Sequence, residues 1–168
     1  YTITFEAGDN GTGTSQTESK THGTNLTLPS SATANGWFTR EGYTLTAWSE
    51  NSDGSTSDYT LEGAYAANAD DTLYPVWTAN DNTVTFYSNY SGGAADKTQT
   101  ITTDAATALN QSFSRTGYTF DDWTTNADGT GTSYTLTETV TIQGDLTLYA
   151  QWVAATSTLP YNYNSCYR

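Results

Sequence analysis

Apolar and threonine residues alternate with period two at the start of the chain, in Tyr1-Thr2-Ile3-Thr4-Phe5. The same pattern returns in Thr83-Val84-Thr85-Phe86. Alternation of this kind predicts half-buried strands. A second strand is predicted over Gly42-Tyr43-Thr44-Leu45-Thr46-Ala47-Trp48, and its counterpart over Gly117-Tyr118-Thr119-Phe120-Asp121-Asp122-Trp123. In both, the tryptophan falls out of phase with the preceding Tyr and Leu or Phe, so a bulge or bend is expected before it. A third strand is predicted over Asp71-Thr72-Leu73-Tyr74-Pro75-Val76-Trp77 and over Leu146-Thr147-Leu148-Tyr149-Ala150-Gln151-Trp152. In the later copy Leu146, Leu148, Ala150 and Trp152 share one face. Pro75 has no N–H to give a ladder, which places the earlier copy at a sheet edge or paired through its other side only.

These strands come in the same order twice, about 75 residues apart. Phe38-Thr39-Arg40-Glu41-Gly42-Tyr43 returns as Phe113-Ser114-Arg115-Thr116-Gly117-Tyr118, and Asp53-Gly54 with Tyr59 returns as Asp128-Gly129 with Tyr134. Self-similarity at a fixed period marks a tandem array. The expected organisation is one module over 1–79, a second over 80–153 and a C-terminal tail over 154–168. The fold class is mainly β, or α+β with helix in short pieces around 64–69 and 104–111. Asp53-Gly54 and Asp128-Gly129 supply the positive φ of tight turns. Phe5 to Phe38 spans 33 residues and Phe86 to Phe113 spans 27, so the first copy carries six more, in a stretch holding Pro29, Asn35-Gly36 and Trp37. Length variation confined to one connection is what a surface loop tolerates. The chain opens already in strand alternation, as a processed product or a piece of something longer would.

Composition sharpens this picture. Domains of 70–80 residues bury only about 60% of the surface that their unfolded chains expose. Aromatic residues make up 14% of the chain, and each ring can bury about 150–250 Å², which thickens a thin core. A net charge of −13 leaves little to neutralise phosphates, so nucleic acid is excluded as a partner. Insertion into a membrane is not expected of this segment, which has no apolar run near 18 residues. Cys166 is the single cysteine, so no disulfide forms within the chain, and an intermolecular bridge is the one disulfide open to it.

With these blocks in place, both copies resemble the Listeria–Bacteroides repeat, the internalin B-repeat type of surface module. The second is the closer, through Arg115-Thr116-Gly117-Tyr118-Thr119-Phe120, Ala127-Asp128-Gly129-Thr130-Gly131-Thr132-Ser133-Tyr134 and Asp145-Leu146-Thr147-Leu148-Tyr149-Ala150-Gln151-Trp152. The first departs at Leu45, where Phe is usual, and at Pro75-Val76, where Ala-Gln is usual. The resemblance implies small β-grasp-like modules in tandem on secreted, cell-surface or cell-wall proteins. It carries no catalytic residue over to this chain.

The chemistry open to the residues is correspondingly limited. His22 is the only histidine, has no counterpart in the second copy and reads as a solvated loop residue. Asn51-x-Asp53-Gly54 and Asn126-x-Asp128-Gly129 are similar to the start of a calcium loop but lack its distal glutamate, so they read as Asx-capped turns. No catalytic residue, metal ligand or cofactor is assigned. Candidate binding residues are Trp37, an unrepeated tryptophan able to stack on a sugar or a partner, and Arg40 and Arg115, which either contact an acidic ligand or stack on a neighbouring ring. The four Asn-x-Ser/Thr sequons matter only in a host that glycosylates them. Lys20 and Lys97 read as surface lysines, with a covalent link to Asn or Asp worth a mass measurement. The functional reading is a non-enzymatic adhesin stalk or interaction module whose partner is a host or neighbouring-cell protein or glycan. The alternative is a filament subunit that assembles with copies of itself, head to tail, through Tyr161, Tyr163 and Cys166 in the tail.

Overall fold

The computed structural model describes residues 1–156. Its strands in chain order are β1 (Thr2–Phe5), β2 (Thr12–Gly13), β3 (Gln16–Ser19), β4 (Leu26–Thr27), β5 (Phe38–Thr39), β6 (Tyr43–Ser49), β7 (Tyr59–Thr60), β8 (Ala64–Tyr65) and β9 (Asp71–Ala79). The second repeat continues with β10 (Asp81–Tyr87), β11 (Lys97–Thr102), β12 (Thr107–Ala108), β13 (Tyr118–Thr124), β14 (Ser133–Tyr134), β15 (Thr139–Val140) and β16 (Leu146–Ala154). Each repeat builds one five-stranded mixed sheet, in the order β3-β1-β9-β6-β7 and then β11-β10-β16-β13-β14. In each sheet the first and last long strands run parallel at the centre, with Phe5 opposite Leu73 and Phe86 opposite Leu148. The protein is therefore mainly β, in two tandem modules.

The bulge expected before the tryptophan is present in both copies. Between Leu45 and Ala47, and between Phe120 and Trp123, the register slips by one residue against β9 and β16. The extra residue turns the next side chain to the opposite face, and Trp48 and Trp123 are both fully buried.

Four expectations require correction. Strand β9 is not an edge: it lies between β1 and β6. Its pairing with β1 ends at Leu73, however, and Pro75 two residues on sits opposite Trp48 of β6, so the missing N–H falls where only one neighbour remains. Helix does not form around 64–69 or 104–111, where β8 and β12 lie instead. The helix among the described residues is α1 (Ser31–Asn35), inside the longer connection of the first repeat. Ser30 caps it by accepting from the Thr33 N–H, and Ala34 is buried. That connection is thus more than a surface loop, since Leu28 and Ala34 join the core. Lys20, lastly, is no surface lysine: it is 3% exposed.

The chain divides into two compact units. The first comprises Tyr1–Asn82 with Ile101–Ala105 and Thr141–Gly144; the second comprises Thr83–Thr100, Ala106–Val140 and Asp145–Arg168. In the first unit Ile3, Phe5, Phe38, Leu45, Trp48 and Leu73 form the centre of the core, with Trp37 and Trp77 half-buried against it. Phe5 lies edge-on to Trp48 at 4.8 Å between ring centroids. In the second unit Val84, Phe86, Leu109, Trp123, Leu148 and Ala150 are buried. Phe113 and Phe120 close on Trp123 from 5.9 and 5.0 Å.

Candidate functional site

A groove opens at the same place in both units, where the first strand ends beside the tyrosine of the third. In the first unit β1 gives way to Glu6-Ala7-Gly8-Asp9, and the groove of about 380 Å³ is lined by Glu6, Gly8, Asp9, Ser52 and Tyr74 among others. Gly8 has φ 67°, and a Cβ there would collide with the Ser52 carbonyl oxygen. Only glycine takes this conformation cheaply in so tight a place.

The second unit builds the corresponding turn differently. Asn89 stands at the position of Gly8 with φ 58°, and its side-chain amide donates to the carbonyls of Ala127 and Ala150 at 2.8 and 3.0 Å. Those two bonds offset the strain of left-handed backbone in a non-glycine residue. Asn89 is one of the sequons, and its amide is already committed. The groove here measures about 550 Å³ and includes Tyr87, Ser88, Tyr90, Asp96 and Tyr149 in its lining. Tyr87 and Tyr149 are register partners across the parallel pair, and their rings stack with centroids 5.1 Å apart and planes 15° from parallel.

The two grooves differ in character. Glu6 and Asp9 of the first replace Tyr87 and Tyr90 of the second. The first is acidic; the second offers an aromatic wall with one carboxylate, Asp96, beside it. Glycoside hydrolysis by the usual route uses two carboxylates across the bond, and the lining of the second groove includes one, Asp96.

Arg115 joins this wall. Its guanidinium lies over Tyr118 at 3.7 Å and over Tyr90 at 5.0 Å, while Tyr90 meets Trp152 edge-on at 5.7 Å and donates its hydroxyl to the Ser114 carbonyl. Arg40 stacks on Tyr43, at 3.6 Å. Both guanidiniums thus lie over tyrosine rings. Trp37 is half-buried against Phe5 at 5.5 Å and Phe38 at 6.3 Å. Trp37 and Arg40 belong to the first unit and Arg115 to the second. Tyr161, Tyr163 and Cys166 lie outside the described residues.

The remaining candidates have local roles. Asp53 and Asp128 accept from the N–H groups of Ser55 and Thr130. The Ser55 and Thr130 hydroxyls, followed by those N–H groups, hold both carboxyls below their ordinary range, as Asx turns do. His22 is exposed and meets the Tyr1 hydroxyl at 3.0 Å through Nδ1. Lys20 Nζ donates to Asn68 Oδ1 at 2.9 Å, and Lys97 Nζ donates to the Ser112 carbonyl at 2.6 Å while covering Phe113. Among the described residues no group of three or more His, Cys, Asp or Glu side chains could hold a metal ion, and no helix is long and apolar enough to cross a membrane.

The groove leaves no repeated signature in the sequence, because Glu6 and Tyr87 are unlike. The tyrosine that both grooves share, Tyr74 and Tyr149, was visible as part of the Leu-Tyr block, but its exposure to a groove was not.

Comparison with known proteins finds the Listeria–Bacteroides repeat domain model matching residues 1–76 and 83–151. A protein of Evansella cellulosilytica, named as a membrane protein, is 29% identical over 163 residues. The alignment covers 92% of this chain and 22% of that relative, so the chain spans about a fifth of the relative's length. No solved structure matches.

Proposed function

The chain belongs to the Listeria–Bacteroides repeat family, and on that premise we propose that it is a non-catalytic, surface-associated interaction segment in which the second repeat carries the binding face. The modules, read as 1–79 and 80–153 and as β-grasp-like, hold that face clear of the host surface in the manner of an adhesin stalk. The observation that carries the reading is the groove at Tyr87 and Tyr149, where two stacked rings, a neighbouring Tyr90 and a single carboxylate line one opening. Aromatic walls of this kind hold a sugar or an apolar side chain by contact and leave orientation to a few polar groups. With a net charge of −13, a neutral or cationic ligand is favoured over an anionic one.

The test is a glycan and protein binding screen run beside a panel of hydrolase substrates, on the full chain and on Tyr87→Ala and Tyr149→Ala. Binding that both substitutions abolish, without loss of folding, supports the reading. Turnover of a substrate that disappears on Asp96→Asn would overturn it.

A further inference from the structure

The first unit includes a turn drawn from the second repeat's sequence, Ile101–Ala105, and that turn covers Gly42 and Tyr43. Asp104 has φ 60°, which costs a non-glycine residue backbone strain unless its surroundings hold it. They do: its N–H donates to the Ile142 carbonyl, one carboxylate oxygen accepts from Gln143 at 3.0 Å and the other from the Tyr43 hydroxyl at 3.0 Å. Asn80 ties the same patch together, donating its N–H to the Gly42 carbonyl and accepting from the Thr103 N–H. The approach is close, since a Cβ on Gly42 would stand 2.6 Å from Thr103 Cγ2.

Among the described residues, the second repeat carries the same patch uncovered. Gly117 and Tyr118 correspond to Gly42 and Tyr43, and Arg115 stacks on Tyr118 as Arg40 stacks on Tyr43. The Ala155 N–H donates to the Gly117 carbonyl as the Asn80 N–H does to Gly42. Yet a Cβ on Gly117 would meet nothing within 4 Å among the described residues, and Tyr118 and Val153 are 39% and 51% exposed. Tyr118 and Val153 thus leave exposed side chains at the place that the turn covers in the first unit.

We propose that the patch around Gly117 and Tyr118 is a docking socket for the corresponding turn of a further repeat, one that carries an aspartate at the position of Asp104. This goes beyond the binding role proposed for the groove and does not depend on it. The occupant follows from the covered patch: a left-handed residue, a carboxylate for the tyrosine hydroxyl and a neighbouring threonine that requires glycine opposite. A second copy of this chain does not offer these. Its own equivalent turn, closed by the Thr24 N–H to the Thr21 carbonyl as Ala105 closes to Thr102, has Gly23 with φ 73° where Asp104 stands. Gly23 brings no carboxylate to Tyr118.

The experiment joins residues 80–168 after residue 154 of the full chain, so that the second repeat is followed by a copy of itself, and reads the nitration of Tyr118 by tetranitromethane through peptide mass mapping. Expected is fast nitration of Tyr118 in the native chain and a loss of that reactivity, to the level of Tyr43, in the extended chain. An Asp104→Ala substitution in the added repeat should restore it. Unchanged Tyr118 reactivity in a folded extended chain overturns the proposal. The native chain supplies an independent arm, in which Tyr43 is slow and Asp104→Ala makes it as reactive as Tyr118; equal reactivity of the two tyrosines before substitution overturns it too. Two further outcomes would also overturn it by naming another occupant. One is Tyr118 unreactive in the native chain and released by truncation after residue 156. The other is protection that rises with protein concentration together with a sedimenting oligomer.

Discussion

Phe86 meets Trp123 edge-on with ring centroids 4.9 Å apart, within 0.1 Å of the separation of Phe5 and Trp48, 4.8 Å. The pair links the first strand of each repeat to the strand after its bulge, so it joins residues far apart in sequence through one buried contact. Both members of each pair are fully buried. Edge-to-face pairs contribute about 0.5–1.5 kcal/mol beyond the area they bury, and in a thin core that increment is a notable share of the total.

Trp123→Ala should therefore cost about 3–5 kcal/mol, comparable with the whole stability of a small domain. The measurement is calorimetric unfolding of the full chain. The transition of the second unit should fall sharply or disappear, and Phe113 and Phe120, which pack on Trp123, should lose their near-ultraviolet dichroism with it. A loss under 1 kcal/mol would contradict the core described above.

High pH should weaken the first unit. Burial, followed by the hydrogen bond to Asp71 at 2.9 Å, pushes the Tyr65 hydroxyl up to about 12. Burial, with the bond to Glu50 next, moves Tyr59 upward as well. A group whose folded pKa is raised contributes stability that is present below its unfolded value and lost as pH climbs through the folded one. The window thus runs from about pH 10, where an unfolded tyrosine ionises, to about 12 for Tyr65. Val140 and Leu146 occupy the places of Tyr65 and Asp71 in the second repeat, so Tyr65→Phe should flatten the alkaline slope. Urea midpoints at pH 9, 10 and 11 measure it.

Low pH acts through Asp58. One of its carboxylate oxygens accepts from the Thr56 hydroxyl at 2.6 Å, from the Glu50 N–H at 2.8 Å and from the Ser49 hydroxyl at 3.3 Å. Thr56 first, and the Glu50 N–H after it, hold this carboxyl below its ordinary range. A depressed pKa contributes stability above the unfolded value, about 4, that is lost as pH falls through the folded one. Asp58→Asn should remove that part of the acid dependence. Denaturation midpoints between pH 5 and 2 should fall less steeply in the variant than in the native chain.

Much of this was legible in the residues. The out-of-phase tryptophans required a bulge, because period two cannot bury Leu45 and Trp48 on one face without an extra residue. What stayed hidden depended on long-range geometry. Lys20 alternates like a surface residue, but Asn68, 48 positions on, supplies the partner that lets its ammonium be buried. The helix of the first repeat was missed because five residues, Ser31–Asn35, give no period to read; its signal was the Pro29-Ser30 start with Ser30 as cap. The groove was missed because its lining differs between the copies, and the socket because Gly42 and Gly117 look identical in sequence. Only the structure shows that one is covered.

That difference yields the last prediction. Gly42 and Gly117 have φ 75° and 78°, so alanine at either position meets the same backbone strain, about 1–2 kcal/mol. Gly117→Ala should cost no more than this, since its Cβ would meet nothing within 4 Å among the described residues. Gly42→Ala adds a collision with Thr103, which cannot swing away: it is 3% exposed and its hydroxyl oxygen accepts from the Asn82 amide at 3.0 Å. Forcing a methyl against a buried, bonded side chain costs roughly a further 1–3 kcal/mol. Urea unfolding of the two variants, measured side by side, should place Gly42→Ala well below Gly117→Ala. A Thr103→Ser background, which deletes the Cγ2 that the new methyl would strike, should recover part of the gap. Equal destabilisation by the two substitutions would mean that the turn at Thr103 does not press on Gly42 at all.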